Sequence, residues 1–255
     1  MTESFSIKLG KFLYKHAFPV YNMVYPVFKR RQDAVEIKLI TTFVKPGFTI
    51  LDIGANIGFY TDILSKLTGP TGSVHAFEPE TINFNYLHGN VGTTKNVTLV
   101  NKAVSDKTEP LKIYISKMLN VDHRTYPVDD YSEIIEINAT TIDDYMQLSA
   151  IAKVDFIKMD IQGFEMTALK GMKKTLENNP DVKIITEFWP YGLGKAGHSA
   201  LEVFDFLHIL GFEIYLILNK ELQPLNQKAV SELKNDELSY YNVLVSKEKL
   251  NSLPK

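Results

Sequence analysis

Apolar runs of strand length alternate with segments of helical spacing along most of the chain. The runs predict buried strands, and apolar residues three and four positions apart behind several of them indicate helices. The predicted strands occupy residues 48–53, 73–79, 97–101, 111–115, 133–139, 154–160, 182–187, 212–218 and 240–245. No long helix separates the last two, so we expect them to pair antiparallel. The pattern predicts an α/β fold with a mostly parallel sheet of about seven strands, flanked by helices, and an antiparallel edge.

The N-terminal part of the chain has a different pattern. We expect a helical extension over residues 1–45, followed by the main domain over residues 46–255. Phe5, Leu9 and Phe12 share one helical face, and an aromatic-rich stretch beyond them ends in three basic residues. A basic amphipathic segment of this kind can lie on a membrane surface. We favour the alternatives that it packs across the domain or forms a homodimer contact.

Composition removes several classes of protein. The 255 residues carry a net charge of −2, which gives no reason to expect a nucleic-acid partner. The chain has no cysteine, so disulfides, thiolate metal sites and cysteine nucleophiles are excluded. No apolar run approaches the roughly 20 residues that a membrane span requires. We expect a cytoplasmic protein, since the lack of cysteine suits a reducing compartment.

Residues 51–58, Leu-Asp-Ile-Gly-Ala-Asn-Ile-Gly, carry the strongest chemical signal. The apolar run ends in a glycine-punctuated turn, and Phe59 and Ile63 begin a helical spacing directly behind it. Gly54 and Gly58 let the backbone turn sharply and approach a ligand without an intervening Cβ. Strand, loop and helix start in this order form the arrangement by which open α/β sheets hold a nucleotide-like cofactor.

The charge of Asp52 distinguishes between two cofactors. It lies two residues before Gly54, where a carboxylate would repel a pyrophosphate and attract an ammonium or sulfonium group. S-adenosylmethionine carries both cations, so this position favours it over NAD. Glu78 ends the next predicted strand, about 20 residues after the loop, where such folds usually hold a ribose diol.

Four sequence blocks together resemble the FkbM-type S-adenosylmethionine-dependent methyltransferases. They are LDIGANIGFYT from Leu51, VHAFEPETINFNYLHGN from Val74, VNKAVSD from Val100 and VDFIKMDIQGFEMTALKGM from Val154. The resemblance implies a Rossmann-like class I methyltransferase fold and transfer of a methyl group to a hydroxyl of a small molecule or glycan. In the fourth block Gln162 replaces the family's usual glutamate, which removes a charge while Asp160 and Glu165 remain.

Methyl transfer to a hydroxyl needs a base that removes the hydroxyl proton. In open α/β sheets the reactants meet outside the carboxyl ends of the strands, and Asp160 and Glu187 both end predicted strands. These two are the leading candidates, followed by Glu165 in the next helix and His123 in the polar segment 120–132. The three carboxylates are also able to form an oxygen-ligand site for a hard cation, but the chemistry demands no metal and we expect none.

On the cofactor side, the resemblance assigns the loop to close backbone approach, Asp52 to the methionine ammonium and Glu78 to the ribose hydroxyls. Residues after the third strand are assigned to adenine. The full set of predicted cofactor contacts is Asp52, Gly54, Ala55, Asn56, Gly58, Glu78, Asn101 and Ala103. Two alternatives stay open: an NAD(P)-dependent oxidoreductase on the same sheet and loop, and a non-catalytic module that binds S-adenosylmethionine.

Overall fold

A computed structural model describes residues 5–116, 131–218 and 221–250. In chain order the strands are β1 (Thr49–Ile53), β2 (Ser73–Phe77), β3 (Val97–Val100), β4 (Ala103–Val104), β5 (Leu111–Ser116), β6 (Tyr131–Ile137), β7 (Ala139–Thr140), β8 (Phe156–Met159), β9 (Lys183–Phe188), β10 (Glu213–Ile217), β11 (Leu222–Pro224) and β12 (Tyr241–Ser246). The helices are α1 (Phe5–His16), α2 (Phe18–Gln32), α3 (Ala34–Phe43), α4 (Phe59–Thr68), α5 (Thr81–Val91), α6 (Ile142–Leu148), α7 (Glu165–Lys170), α8 (Lys173–Asn178), α9 (Pro190–Lys195), α10 (Ala200–Ile209) and α11 (Gln227–Ser231).

The main sheet has the order β11-β10-β12-β9-β8-β1-β2-β3. The strands from β9 to β3 run parallel, whereas β12 pairs antiparallel with both β9 and β10, and β11 pairs antiparallel with β10. This confirms the predicted mostly parallel sheet with an antiparallel edge. Within the described residues the sheet has eight strands instead of the predicted seven. The additional strand, β11, has three residues, too few to show an alternating pattern.

Two predicted strands lie outside the main sheet. β5 and β6 pair antiparallel with each other, and the short strands β4 and β7 form a parallel pair. Their alternating pattern correctly predicted strands, but alternation does not reveal which sheet a strand joins. Strands β4 and β5 follow β3 in the chain, and β3 is the edge strand of the main sheet.

The central strands are buried on both faces, which explains their nearly continuous apolar sequence. Leu51 and Ile157 belong to a core on one face, and Ile50 and Phe156 belong to a core on the other. Successive residues of a strand point to opposite faces, so each apolar run supplies both cores. The cores fix the strands, and the strand ends position the polar residues described below.

The three helices before β1 pack against α4 and α5. The Tyr14 hydroxyl donates to Asn83 Oδ1 at 2.6 Å, and the Tyr60 hydroxyl donates to Asp33 Oδ2 at 2.5 Å. The ring of Tyr25 meets that of Phe59 edge to face. Packing across the domain, one of the two expected uses of this segment, is therefore observed. In the described part of the chain no helix combines the length and apolarity that crossing a membrane requires.

Candidate active site

The loop after β1 has the geometry expected of a close-approach turn. Gly54 and Gly58 have positive φ angles of 82° and 93°, and Asn56 adopts a left-handed conformation with a φ of 50°. The backbone N–H groups of Gly54 and Ala55 both donate to the carbonyl of Phe77, at 3.0 and 2.9 Å. A Cβ at Gly54 would lie 2.0 Å from the carbonyl oxygen of Asp160. Glycine is therefore required here, because the ends of β1 and β8 approach too closely for any side chain.

Glu78 joins the end of β2 to this loop. Its Oε2 accepts the backbone N–H of Asn56 at 2.9 Å, and its Oε1 accepts the N–H of Glu80 at 3.0 Å. Burial raises the pKa of Glu78 to about 7, although both amide hydrogen bonds favour the charged form. The side chain of Asn83 also hydrogen-bonds this carboxylate, so of about four acceptor sites roughly one remains for a ligand.

A cavity opens at the carboxyl ends of β1, β2 and β8. It brings together four of the predicted cofactor residues, Gly54, Asn56, Glu78 and Ala103, with Asp160 from the predicted catalytic set. In open α/β sheets this is the edge at which ligands bind. The cavity is the candidate active site.

The other predicted cofactor residues do not line this cavity. Ala55 and Gly58 shape the loop behind it. Asn101 instead holds the turn after β2, because its Nδ2 donates to the carbonyls of Glu78 and Pro79 at 2.8 and 3.1 Å.

Asp52 lies behind the loop on the face covered by α4. Its side chain is buried, and Oδ2 accepts the Thr61 hydroxyl at 2.6 Å. Burial raises its pKa to about 6, and the Thr61 hydrogen bond acts in the opposite direction. Lys158 is its register partner on β8 and is also buried. The structure therefore surrounds Asp52 with protein groups and does not bring it to the cavity wall.

The three candidate carboxylates differ sharply in their surroundings. Asp160 lines the cavity. Glu165 is buried, and its Oε1 accepts the backbone N–H groups of Ile161 and Gly163 at 3.3 and 3.2 Å. Among the described residues Glu165 Oε2 is the buried side-chain atom that has no hydrogen-bond partner. Burial raises the pKa of Glu165 to about 7. Glu165 is therefore occupied in fixing the turn after β8.

Glu187 lies near the end of β9, beside this group of acids. Burial raises its pKa to about 9, and the negative charges of Asp160 and Glu165 add to that rise. Both effects favour the protonated form of Glu187, which cannot accept a proton. His123 lies outside the described residues.

The three carboxylates Asp160, Glu165 and Glu187 do not form a metal site in the structure. Across the described ranges no group of three or more histidine and acidic side chains is arranged to hold a metal ion.

A comparison with known families shows which family this chain belongs to. A model described as the methyltransferase FkbM domain matches residues 52–214, well over half of the chain. The chain belongs to this family. The match confirms the resemblance carried by the four sequence blocks and decides against an oxidoreductase. It also confirms, at the level of the family, a methyltransferase that uses S-adenosylmethionine.

Individual relatives are distant. The 2-O-methyltransferase NoeI of Sinorhizobium fredii is 25% identical over 158 residues, which cover 56% of this chain and 64% of NoeI. The match thus spans less than two thirds of that relative. The solved FkbM methyltransferase of Methylobacillus flagellatus is 18% identical, with a TM-score of 0.47 over 78% of this chain and 43% of that one. A candidate rRNA methylase of Clostridium thermocellum shares the fold, with 14% identity and a TM-score of 0.51 over 84% of this chain and 95% of that one.

Gln162, where the resemblance to the FkbM blocks leads us to expect a glutamate, has a role for its amide in the structure. Gln162 Nε2 donates to Asp160 Oδ1 at 2.9 Å. A glutamate, which only accepts hydrogen bonds when ionised, would repel Asp160 at this position. Gln162 has a left-handed φ of 55°, and the following Gly163 has a φ of 96°. The amide therefore orients Asp160 across a tight turn.

Several residues of the site were not foreseen from the sequence. Lys102, Ile113 and Phe164 line the cavity beside the predicted residues. Phe164 lies within the fourth sequence block, so the sequence alone could have identified it as a site residue. Ile113 could not be identified in this way, because it comes from β5, whose position depends on the tertiary fold.

A second unforeseen set of residues connects the N-terminal helices to the strand ends. Lys29 pairs with Asp33 at 2.7 Å, and Asp33 also accepts the Tyr60 hydroxyl. Lys158 Nζ lies 4.9 Å from the centre of the Tyr60 ring. The positive charges of Lys158 and Lys29 both lower the pKa of Glu187, against the larger effect of burial. The N-terminal helices thus supply charge to the strand-end acids.

Proposed function

We propose that this chain transfers a methyl group from S-adenosylmethionine to a hydroxyl oxygen of a small-molecule or glycan acceptor. The observation that carries the proposal is the single cavity in which the glycine loop, Glu78 and Asp160 meet. The relative NoeI is a 2-O-methyltransferase, which supports oxygen as the methylated atom. Because the match covers 64% of NoeI, its acceptor is not transferred to this chain.

The cavity residues fit the methyl donor. The remaining acceptor capacity of Glu78 suits a ribose hydroxyl, and Gly54 and Asn56 bring the loop to the cavity wall beside it. Ile113 and Phe164 add apolar wall that suits a purine ring. When bound, S-adenosylmethionine supplies an electrophilic methyl group on a sulfonium centre. The protein's own tasks are then to orient the acceptor, exclude water and accept one proton.

Asp160 is the residue that we assign as the base. Of the candidates in the described part of the chain, Asp160 alone lines the cavity. Gln162 holds its Oδ1, which leaves Oδ2 to accept the proton of the acceptor hydroxyl. Neither Glu187 nor Glu165 lines the cavity, and burial together with the neighbouring negative charges favours the protonated form of Glu187. The same arrangement makes Gln162 a positioning residue.

The test is a methyl-transfer assay with S-adenosylmethionine labelled in its methyl group. The protein is incubated with a broad panel of glycans and small hydroxyl compounds, and products are analysed by mass spectrometry and NMR. We expect a labelled methyl ether. A labelled methyl group on nitrogen or carbon would contradict the proposed acceptor atom. Tight cofactor binding without transfer to any member of the panel would favour the non-catalytic module.

A further inference from the structure

The helix α2 presents an apolar face to solvent. Five side chains of this face form what we call the outer stripe: Val20, Met23, Val24, Val27 and Phe28. Between 47 and 77% of each side chain is exposed. Their spacing of three and four residues places them along one side of the helix. An exposed apolar stripe of this length marks a surface that binds another apolar phase.

The opposite face of α2 is anchored to the domain. Tyr21 and Tyr25 stack on each other, and Tyr25 also contacts Phe59 of α4. Asn22 exchanges side-chain hydrogen bonds with Asn90 of α5 at 2.7 and 3.1 Å. The domain therefore holds α2 in one orientation, with the outer stripe directed away from the core.

Charge identifies the occupant of this surface. Residues 5–32 contain six lysines and arginines and no aspartate or glutamate, although the whole chain has a net charge of −2. Arg31 follows Val27 by four residues, so it continues the outer stripe, and its side chain is exposed. Exposed Lys15 lies on α1, where Phe12 is also 59% exposed. Arg31 thus adds positive charge to the end of the outer stripe, and Lys15 adds positive charge to the exposed part of α1, which packs against α2.

We propose that the outer stripe docks on the surface of an anionic lipid bilayer. The apolar side chains would enter the boundary between headgroups and acyl chains, while Lys15 and Arg31 meet lipid phosphates. A second copy of this chain is a poorer occupant, because a two-fold contact would place the same basic segments against each other. Nucleic acid is also poorer, because its charged backbone offers no apolar phase for Met23 and Phe28.

Docking in this orientation has a consequence for the active site. The inner face of α2 carries Lys29, whose charge acts on Asp160 and Glu187 at the strand ends. A membrane bound to the outer stripe would therefore lie on the side of α2 opposite to these acids. The docking proposal does not depend on which reaction the site performs.

Vesicle co-sedimentation tests the proposal. The full chain is mixed with vesicles of phosphatidylcholine alone, or of phosphatidylcholine with phosphatidylglycerol. We expect binding to the anionic vesicles that weakens as salt is raised, and much weaker binding to the neutral ones. The double variant M23S/F28S and the single variant R31E should each lower the partition coefficient by about tenfold or more. All substituted residues are exposed, and thermal melting checks that the fold is retained.

A matched control uses apolar side chains elsewhere that are at least as exposed as Met23 and Phe28. Leu148 and Ile209 are 81 and 82% exposed and lie on α6 and α10. The double variant L148S/I209S should bind anionic vesicles like the wild type. Absence of vesicle binding at low salt, or equal loss in both double variants, would overturn the proposal. Self-association of the wild type without vesicles that M23S/F28S abolishes would overturn it in favour of a second copy.

Discussion

Glu78 Oε2 accepts the backbone N–H of Asn56 at 2.9 Å, which ties the acid after β2 to the glycine loop after β1. Asn56 has a left-handed φ of 50°, and this hydrogen bond holds it there. The same carboxylate faces the cavity. Glu78 therefore shapes the loop and also lines the cavity, so we expect loop conformation and cofactor affinity to be coupled.

Gly54→Ala should disturb the contact between the loop after β1 and the end of β8, and with it the cavity. The added Cβ would lie 2.0 Å from the Asp160 carbonyl oxygen, in a backbone with a φ of 82°. We expect a loss of about 2 kcal/mol or more in the free energy of unfolding, measured by urea denaturation, because strain and steric overlap combine. Cofactor affinity should fall as β8 moves.

Gly211→Ala is the matched control for this substitution. Gly211 has a φ of 84°, and a Cβ there would have no described atom within 4 Å. This variant carries the backbone strain without the overlap, so it should lose only about 1 kcal/mol and keep the affinity for S-adenosylhomocysteine. Equal losses of unfolding free energy in the two variants would contradict the prediction, because they would show that overlap with the Asp160 carbonyl adds nothing to the backbone strain.

Asp160→Asn should separate catalysis from cofactor binding. Asparagine keeps an oxygen for the Gln162 amide but cannot accept the hydroxyl proton. Once an acceptor is known, we expect kcat to fall by about a hundredfold or more, with S-adenosylmethionine affinity nearly unchanged. Glu187→Gln should affect kcat far less, because burial and neighbouring negative charge raise the pKa of that carboxyl and favour its neutral form, which glutamine mimics. A larger loss in Glu187→Gln than in Asp160→Asn would move the base to Glu187.

Glu165 should make stability depend on pH. Burial raises its pKa from 4.5 to about 7, so the folded chain binds this proton more tightly than the unfolded chain. The stabilising contribution is complete below pH 4.5 and is lost as pH rises through about 7. Relative to Glu165→Gln, the wild type should therefore lose about 3 kcal/mol of unfolding free energy between these limits.

Urea denaturation at several pH values measures this difference. The comparison uses wild type, Glu165→Gln and Glu109→Gln, the last at an exposed position. The Glu109 variant should follow the wild-type profile. Parallel profiles for wild type and Glu165→Gln would contradict the assignment of Glu165 as a buried carboxyl that gains a proton on folding.

The loop and Glu78 were predictable because their signals are local. An apolar strand, two glycines and a helical spacing follow each other within residues 48–63, and Glu78 ends the next strand. Parallel neighbours in a sheet bring such strand ends to one edge. The family blocks added Asp160. The parallel order of β1, β2 and β8 then follows from the fold class.

Other features depend on tertiary packing and were beyond the sequence pattern. Asp52 has the charge that suits a sulfonium cofactor, but its partner is the Thr61 hydroxyl on the next helix. Glu187 ends a strand as predicted, yet its protonation state depends on burial and on Asp160. Lys29 adds positive charge near Glu187 because of the way α2 packs across the domain. A local sequence pattern cannot predict that packing.

The most direct test of the central claim is a calorimetric titration of wild type and Glu78→Gln with S-adenosylhomocysteine and with NAD. The account predicts that the wild type binds S-adenosylhomocysteine and not NAD. Glu78→Gln should weaken binding by at least about tenfold, or about 1.4 kcal/mol, with the fold retained in thermal melting. Binding of NAD alone, or unchanged S-adenosylhomocysteine affinity in Glu78→Gln, would contradict the assignment of this cavity.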